Sequence, residues 1–136
     1  MSAGYSGTPL VRKLGVRPGM TCAIVHPPRR YDELVPGLPE DLTFVDASTA
    51  GLDFVHLFVT SSDGLDETLR FLRARIVDNG MIWVSWPKKS SRVKTDVTED
   101  VVRAAALDVG LVDVKVCAVD ETWSGLRLVI PVAART

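Results

Sequence analysis

Residues 53–60, DFVHLFVT, and residues 81–86, MIWVSW, constrain the fold of this chain more than any other feature. Each is apolar almost throughout, where a strand with one wet face would alternate. Near-continuous runs of this length belong to strands covered on both faces, as in parallel sheets. Between them lies the clearest helical pattern. Leu65, Leu69, Leu72 and Ile76 share one face, acids crowd the first turn and arginines the last, and Asn79-Gly80 reads as the stop.

The flanking segments extend the same alternation. Thr8-Pro9 starts a short helix, with Thr8 as its cap, Leu10 and Leu14 on one face and Gly15 at its end. After a turn at Arg17-Pro18-Gly19, residues 21–26, TCAIVH, read as a strand that Pro27-Pro28 terminates. Residues 29–35 read as a short helix, and Leu42 to Val45 as a short strand ending at Asp46. Asp96 with Glu99 three residues on resembles a capping box. The helix it opens has Val101, Val102, Ala105 and Val109 as its apolar face and Gly110 as its stop. Residues 112–119 and 126–132 read as two antiparallel strands around DETWSG. Strands alternating with helices, then a closing hairpin, predict a single α/β domain over residues 1–136. It is a doubly wound, mostly parallel sheet with right-handed crossovers.

Composition narrows the class. A chain of 136 residues with 46 % hydrophobic and 24 % charged residues is typical of a soluble globular domain. The formal net charge of −1 argues against bulk attraction to nucleic acid or membranes, while leaving room for a local basic patch. No apolar run reaches the roughly 18 residues of a membrane helix, and the first residues lack the layout of a signal peptide, so a cytoplasmic protein is expected. Cys22 and Cys117 lie in apolar strand-like runs and are expected to be buried and reduced, a disulfide being the alternative. His26 and His56 are the only histidines, and neither has metal-ligand spacing to a cysteine pair.

Three stretches resemble the Rossmann-like class I methyltransferase fold. LGVRPGMTCAIV is similar to its initial helix, turn and first strand. LDFVHLFV with DNGMIWVSW is similar to its fourth and fifth strands, and GLVDVKVCAVDETWSGLRLVI to its terminal hairpin. A more specific resemblance runs nearly end to end. YSGTPLVRKLG, LDFVHLFVT, WVSWPKK, TEDVVR and GLVDVKVCAVDETWSGL resemble an uncharacterised bacterial family, one of the domain-of-unknown-function groups. That resemblance implies no known activity.

The chain departs from the methyltransferase pattern twice. Only six residues separate Asp46 from Asp53. A parallel crossover with a helix takes about a dozen. Seven extended steps reach ~23 Å against the ~18 Å needed to skip one strand, so the link closes without a helix. One face of the sheet near the first strand is then thinly covered. Second, the glycine-rich turn that lets backbone N–H groups approach a cofactor is replaced by VHPPRRY, with no glycine between Gly19 and Gly37. Two prolines remove two donors. This argues against an S-adenosylmethionine or NAD site, and no cofactor is expected. Asp46, at the end of the second strand, matches the position of an acid that holds ribose hydroxyls, or is a solvated loop acid.

Ligands of such sheets bind beyond the carboxyl ends of the strands. His26, Asp46, Thr60, Ser61, Lys88, Lys89 and the hairpin segment Asp120 to Gly125, with Trp123 and Ser124, all emerge there. Lys88 and Lys89 either hold an anion, helped by the positive N-terminus of a helix beginning near Val97, or pair with Asp96, Glu99, Asp120 or Glu121. Trp123, placed in a turn, is a ligand or partner contact or folds back as a lid on the core. His56, mid-strand, reads as a hydrogen-bonded core histidine. His26 is the better acid–base candidate, but no catalytic set can be assigned to it. Two function classes follow. One is a non-catalytic binding or regulatory module with methyltransferase-like architecture, taking a small anionic ligand or a protein partner, with a homo-oligomer as an open option. The other is a small enzyme using His26 and the lysines on an anionic substrate. A nucleic-acid role is a poorer third.

Overall fold

The computed structural model describes residues 7–136. Its strands are β1 (Thr21–Val25), β2 (Thr43–Phe44), β3 (Leu52–Phe58), β4 (Ile76–Pro87), β5 (Val112–Ala118) and β6 (Trp123–Val129). They form one sheet in the order β2-β1-β3-β4-β6-β5. Neighbours are parallel from β2 through β4, and only β6 runs against its two partners. The expected mostly parallel sheet with a closing antiparallel hairpin is therefore present.

Four helices cover the sheet: α1 (Leu10–Leu14), α2 (Tyr31–Leu34), α3 (Leu65–Arg73) and α4 (Glu99–Asp108). The core divides into two layers. On one face Leu65, Leu69 and Leu72 of α3 and Val102 and Ala106 of α4 pack on Val55, Leu57, Ile82, Val84, Leu126 and Leu128. On the other, Leu14 of α1 and Leu34 of α2 pack with Phe54, Phe58, Met81 and Trp83. The two long apolar runs are buried from both sides because each contributes alternate residues to both layers. No helix among the described residues is long and apolar enough to cross a membrane.

The link from β2 to β3 carries no helix, and β3 lies on the far side of β1 from β2. As expected, this region is thinly covered: Phe44 in β2 is 52 % exposed. Cys22 and Cys117 are buried, free thiols on strands at positions two and six of the sheet order, so they are not neighbours. Burial, reinforced by the Asp53 carboxylate, pushes the Cys22 thiol up to about 11.

Four local expectations are corrected. Helix α1 begins at Leu10 with Pro9 at the capping position, so Thr8 is not the cap. Helix α3 stops at Arg73, and Ile76 to Gly80 belong to β4 instead of to the helix and its stop. The reason is non-local. The N–H groups of Gly51 and Leu52 both donate to the Arg75 carbonyl, and Leu52 pairs with Ile76, which draws this segment into the sheet. The pairing then shifts register between Leu52 and Phe54, and Gly80 sits at the crowded point. Helix α4 is capped by Thr98, whose hydroxyl accepts from the Val101 N–H at 3.2 Å, not by Asp96. Finally, β6 begins at Trp123, so Trp123, Ser124 and Gly125 are strand residues and the turn is only 119–122.

Gly80 supplies a test of this register. A Cβ there would stand 2.9 Å from the Leu52 carbonyl oxygen, 3.0 Å from that of Val77 and 3.1 Å from Ile76 Cβ. Backbone atoms cannot swing aside, so Gly80→Ala is expected to destabilise by about 1–3 kcal/mol. Denaturant unfolding measures it. An unchanged midpoint would mean that Gly80 is a helix stop after all.

Candidate functional site

The chain moves from β1 outward to β2 and then back across to β3, so the sheet's topological switch point lies between β1 and β3. The crevice beyond the carboxyl ends of these two strands is where open α/β sheets bind ligands. A cleft of about 520 Å³ opens there. Val25, His26 and Pro28 line one side, and Phe58, Val59, Thr60, Ser61 and Asp63 the other. Trp123 lines it as well.

The local chain explains each wall. Strand β1 ends at Val25, and His26 takes a left-handed backbone conformation, φ 55°, one of two such non-glycine residues among those described. This is the conformation a glycine would supply at no cost, and a side-chain-bearing residue adopts it at roughly 1–2 kcal/mol. It turns the chain sharply into Pro27-Pro28 and leaves His26 exposed at the cleft rim. On the opposite wall the Ser61 hydroxyl accepts from the Asp63 N–H at 3.1 Å, which holds the loop that leads into α3. The Asp96 carboxylate accepts from the N–H and hydroxyl of the neighbouring Ser62 at 2.9 and 2.5 Å, and these bonds hold Asp96 below the usual carboxylate range.

Trp123 owes its position to an aromatic stack and a turn. Its ring meets Phe58 edge-on at 5.4 Å, and Phe58 stacks on His56 at 4.2 Å. The Asp120 carboxylate accepts from the N–H groups of Thr122 and Trp123 at 2.8 and 2.7 Å, fixing the start of β6. The half-buried indole is thus both a cleft wall and a cover for the core.

Below the cleft, His56 is fully buried and held at both ring nitrogens. Tyr31 Oη lies 2.8 Å from Nδ1 and Ser85 Oγ 2.8 Å from Nε2. Burial keeps the Tyr31 phenol protonated, so it can donate to Nδ1 while Nε2–H donates to Ser85. Gly125 leaves the room: a Cβ there would press on Ser85 Oγ and Trp83 at 3.1 Å. Burial drives the His56 imidazole down to about 3. It is a structural histidine, as its mid-strand position implies.

The other sequence candidates lie apart. Asp46 follows β2 and accepts from the Ser48 N–H and hydroxyl at 2.8 and 2.6 Å, outside the cleft lining. Strand alternation puts Ser124 on the opposite face of β6 from Trp123. Lys88 and Lys89 follow Pro87 and do not line the cleft. Neither makes an ion pair among the described residues, and three of the four acids expected to neutralise them are engaged elsewhere. Asp96 holds Ser62, Glu99 pairs with Arg103, and Asp120 lies 3.6 Å from Arg29. The structure thus places His26, Thr60, Ser61 and Trp123 in the cleft lining and leaves Asp46, Lys88, Lys89 and Ser124 out of it. Asp63 was not singled out from sequence, although its position just past β3 marks it by the same edge rule that selected Thr60 and Ser61. Among the described residues no group of three or more His, Cys, Asp or Glu converges as for a metal.

Comparison with known proteins agrees with this architecture. Residues 38–132 match the family described as a protein of unknown function, DUF3052. No curated protein matches the chain. Among solved structures, a SAM-dependent methyltransferase from Aquifex aeolicus is 14 % identical with a TM-score of 0.62, over 90 % of this chain and 88 % of the other. Magnesium protoporphyrin IX methyltransferase from Synechocystis PCC 6803, with bound SAM, is 11 % identical with a TM-score of 0.58, over 90 % and 74 %. A TehB-like SAM-dependent methyltransferase from Corynebacterium glutamicum is 10 % identical with a TM-score of 0.57, over 90 % and 85 %. Likeness at these identities establishes the methyltransferase-like fold alone.

The buried histidine generates a pH prediction. Its proton affinity is lower folded than unfolded, so the unfolded chain takes up a proton that the folded one refuses. Its stabilising contribution is complete above pH 6.5 and is lost as pH falls through 6.5 toward 3. The slope from this group approaches about 1.4 kcal/mol per pH unit. Denaturant unfolding across that window, for wild type and His56→Gln, separates it from the carboxylates. The variant should be less stable at neutral pH and its profile flatter. Parallel profiles would contradict the buried neutral imidazole.

Proposed function

For a chain that belongs to the DUF3052 family and carries a methyltransferase-like fold, we propose a non-catalytic binding or regulatory module. Its ligand is a small, partly aromatic molecule, neutral or positively charged, seated in the cleft between β1 and β3. The observation that carries this reading is the composition of the lining. Phe58 and Trp123 offer apolar surface for a flat ring. Thr60, Ser61 and Thr68 offer hydroxyls, and Asp63 is the one carboxylate among the lining residues. Neither lysine nor arginine is among them. A cleft whose fixed charge is a carboxylate disfavours an anion, so the anionic ligand or substrate expected from Lys88 and Lys89 finds no support at this site.

The enzyme alternative needs His26 and the lysines to act on one substrate. The lysines lie outside the lining that contains His26, and no hydrogen bond among the described residues orients His26 as an acid or base, which speaks against it. The loop chemistry speaks against the fold's usual cofactor. His26-Pro27-Pro28 replaces the glycine turn with two residues that have no N–H to offer. Calorimetry of the purified protein with S-adenosylmethionine tests the negative half of the proposal. No heat of binding is expected up to millimolar cofactor. Micromolar affinity would overturn it and return the chain to the methyltransferases by function as well as fold.

A further inference from the structure

Away from the cleft, on the face of the sheet that α1 covers, lie three cations that make no ion pair among the described residues. Lys13 lies in the last turn of α1, Lys115 on β5 and Arg127 on β6. Lys115 and Arg127 are directly opposed in the antiparallel ladder, an arrangement that costs stability for like charges. Lys115 Nζ reaches across to donate to the Lys13 carbonyl at 3.1 Å. The Arg127 guanidinium lies beside the end of α1, its Nη1 3.6 Å from where a Cβ on Gly15 would stand. The ammonium groups of Lys13 and Lys115 are both close enough to the Cys117 thiol to oppose the rise that burial gives it.

What this cluster lacks is an acceptor. Arg127 Nε is buried with no hydrogen-bond partner among the described residues. A buried unpaired donor costs about 1–3 kcal/mol, more when charged. Two carbonyls at the end of α1 already accept from other donors: Lys13 O takes Lys115, and Leu14 O takes Trp83 Nε1–H at 2.8 Å. The nearest acid in sequence to Lys115, Asp113, is held by Arg103 at 3.1 Å. Among the described residues the ion pairs are those of Arg29, Arg30 and Arg103, and none involves these three cations. Two ammonium groups near Cys117 and, on the opposed strand position, a planar fork whose Nε lacks an acceptor suit an oxyanion as counter-charge.

We propose that Lys13, Lys115 and Arg127 form a phosphate-binding site, taking either inorganic phosphate or the phosphate group of a small monoester. This goes beyond the cleft and does not depend on it. The geometry makes the anion the missing counter-charge between α1 and the hairpin. Occupancy would tie the C-terminal end of α1 to the edge strand β5.

Amide NMR of the whole chain, titrated with sodium phosphate against sodium chloride at matched ionic strength, tests the site. Phosphate should give saturable shifts at Gly15, Lys115 and Arg127, with a Kd of about 1 mM or tighter. Lys115→Gln, at an exposed edge position, should weaken binding at least about tenfold. Arg127→Lys, which keeps the charge and loses the fork, should weaken it too. Phenyl phosphate binding more tightly than inorganic phosphate would assign the monoester, and the reverse order the free ion. The proposal is overturned if chloride gives the same shifts, if acetate binds as tightly as phosphate, or if Lys115→Gln leaves the shifts unchanged.

Discussion

The imidazole of His56 is the constraint on which this structure turns. A polar ring in the middle of an apolar strand must find partners for both nitrogens or cost the fold several kilocalories per mole. One partner is Ser85 on the adjacent strand, which ties β3 to β4 through side chains as well as backbone. The other is Tyr31, which comes from outside the sheet. That bond anchors α2 over the β-sheet and so fixes the far end of the segment that begins at His26. The cleft wall from His26 to Pro28 is therefore stretched between a strand end and a helix pinned from beneath. The same ring stacks under Phe58, which in turn positions Trp123. Core satisfaction and cleft shape are one network.

Shortening is the second determinant. A doubly wound sheet ordinarily spends a helix on each crossover, yet the return from β2 to β3 is made by a bare loop. It leaves β2 as a two-residue edge with Phe44 in solvent. The cost is borne at that edge, while the β1–β3–β4 centre is buried from both sides and keeps the methyltransferase-like architecture. The crevice between β1 and β3 is thus present although the β2–β3 link is a bare loop and the β1 turn reads HPP. The crevice is lined by a histidine in a left-handed backbone conformation, a proline, an indole and a carboxylate.

Much of the fold was legible because its strongest signals are local or periodic. DFVHLFVT and MIWVSW are buried on both faces, and their unbroken hydrophobicity says so directly. The misread positions share one cause. Asn79-Gly80 has the composition of a helix stop, and only the pairing of Leu52 with Ile76, more than twenty residues apart, makes it strand. Asp96 with Glu99 has capping-box spacing, but Ser62 competes for the carboxylate. Trp123 follows a turn-like DET, and the ladder to Pro87 pulls it into β6. Of the site, His26 and Trp123 followed from the rule that ligands meet the carboxyl edge. The Lys13–Lys115–Arg127 cluster joins Lys13 to Lys115, 102 positions on, and to Arg127 beyond it, and nothing in the chain's local pattern announces it.

The claim most exposed to test is that the β1–β3 cleft holds a small ligand that is not the fold's usual cofactor. Crystals soaked with a set of small fragments, including amines, neutral heteroaromatics, carboxylates and S-adenosylmethionine, address it directly. The account predicts density for flat neutral or cationic fragments between Trp123 and Asp63, and none for carboxylates or the cofactor. A cleft that stays empty while fragments settle elsewhere, or one that seats S-adenosylmethionine along His26-Pro27-Pro28, would contradict it.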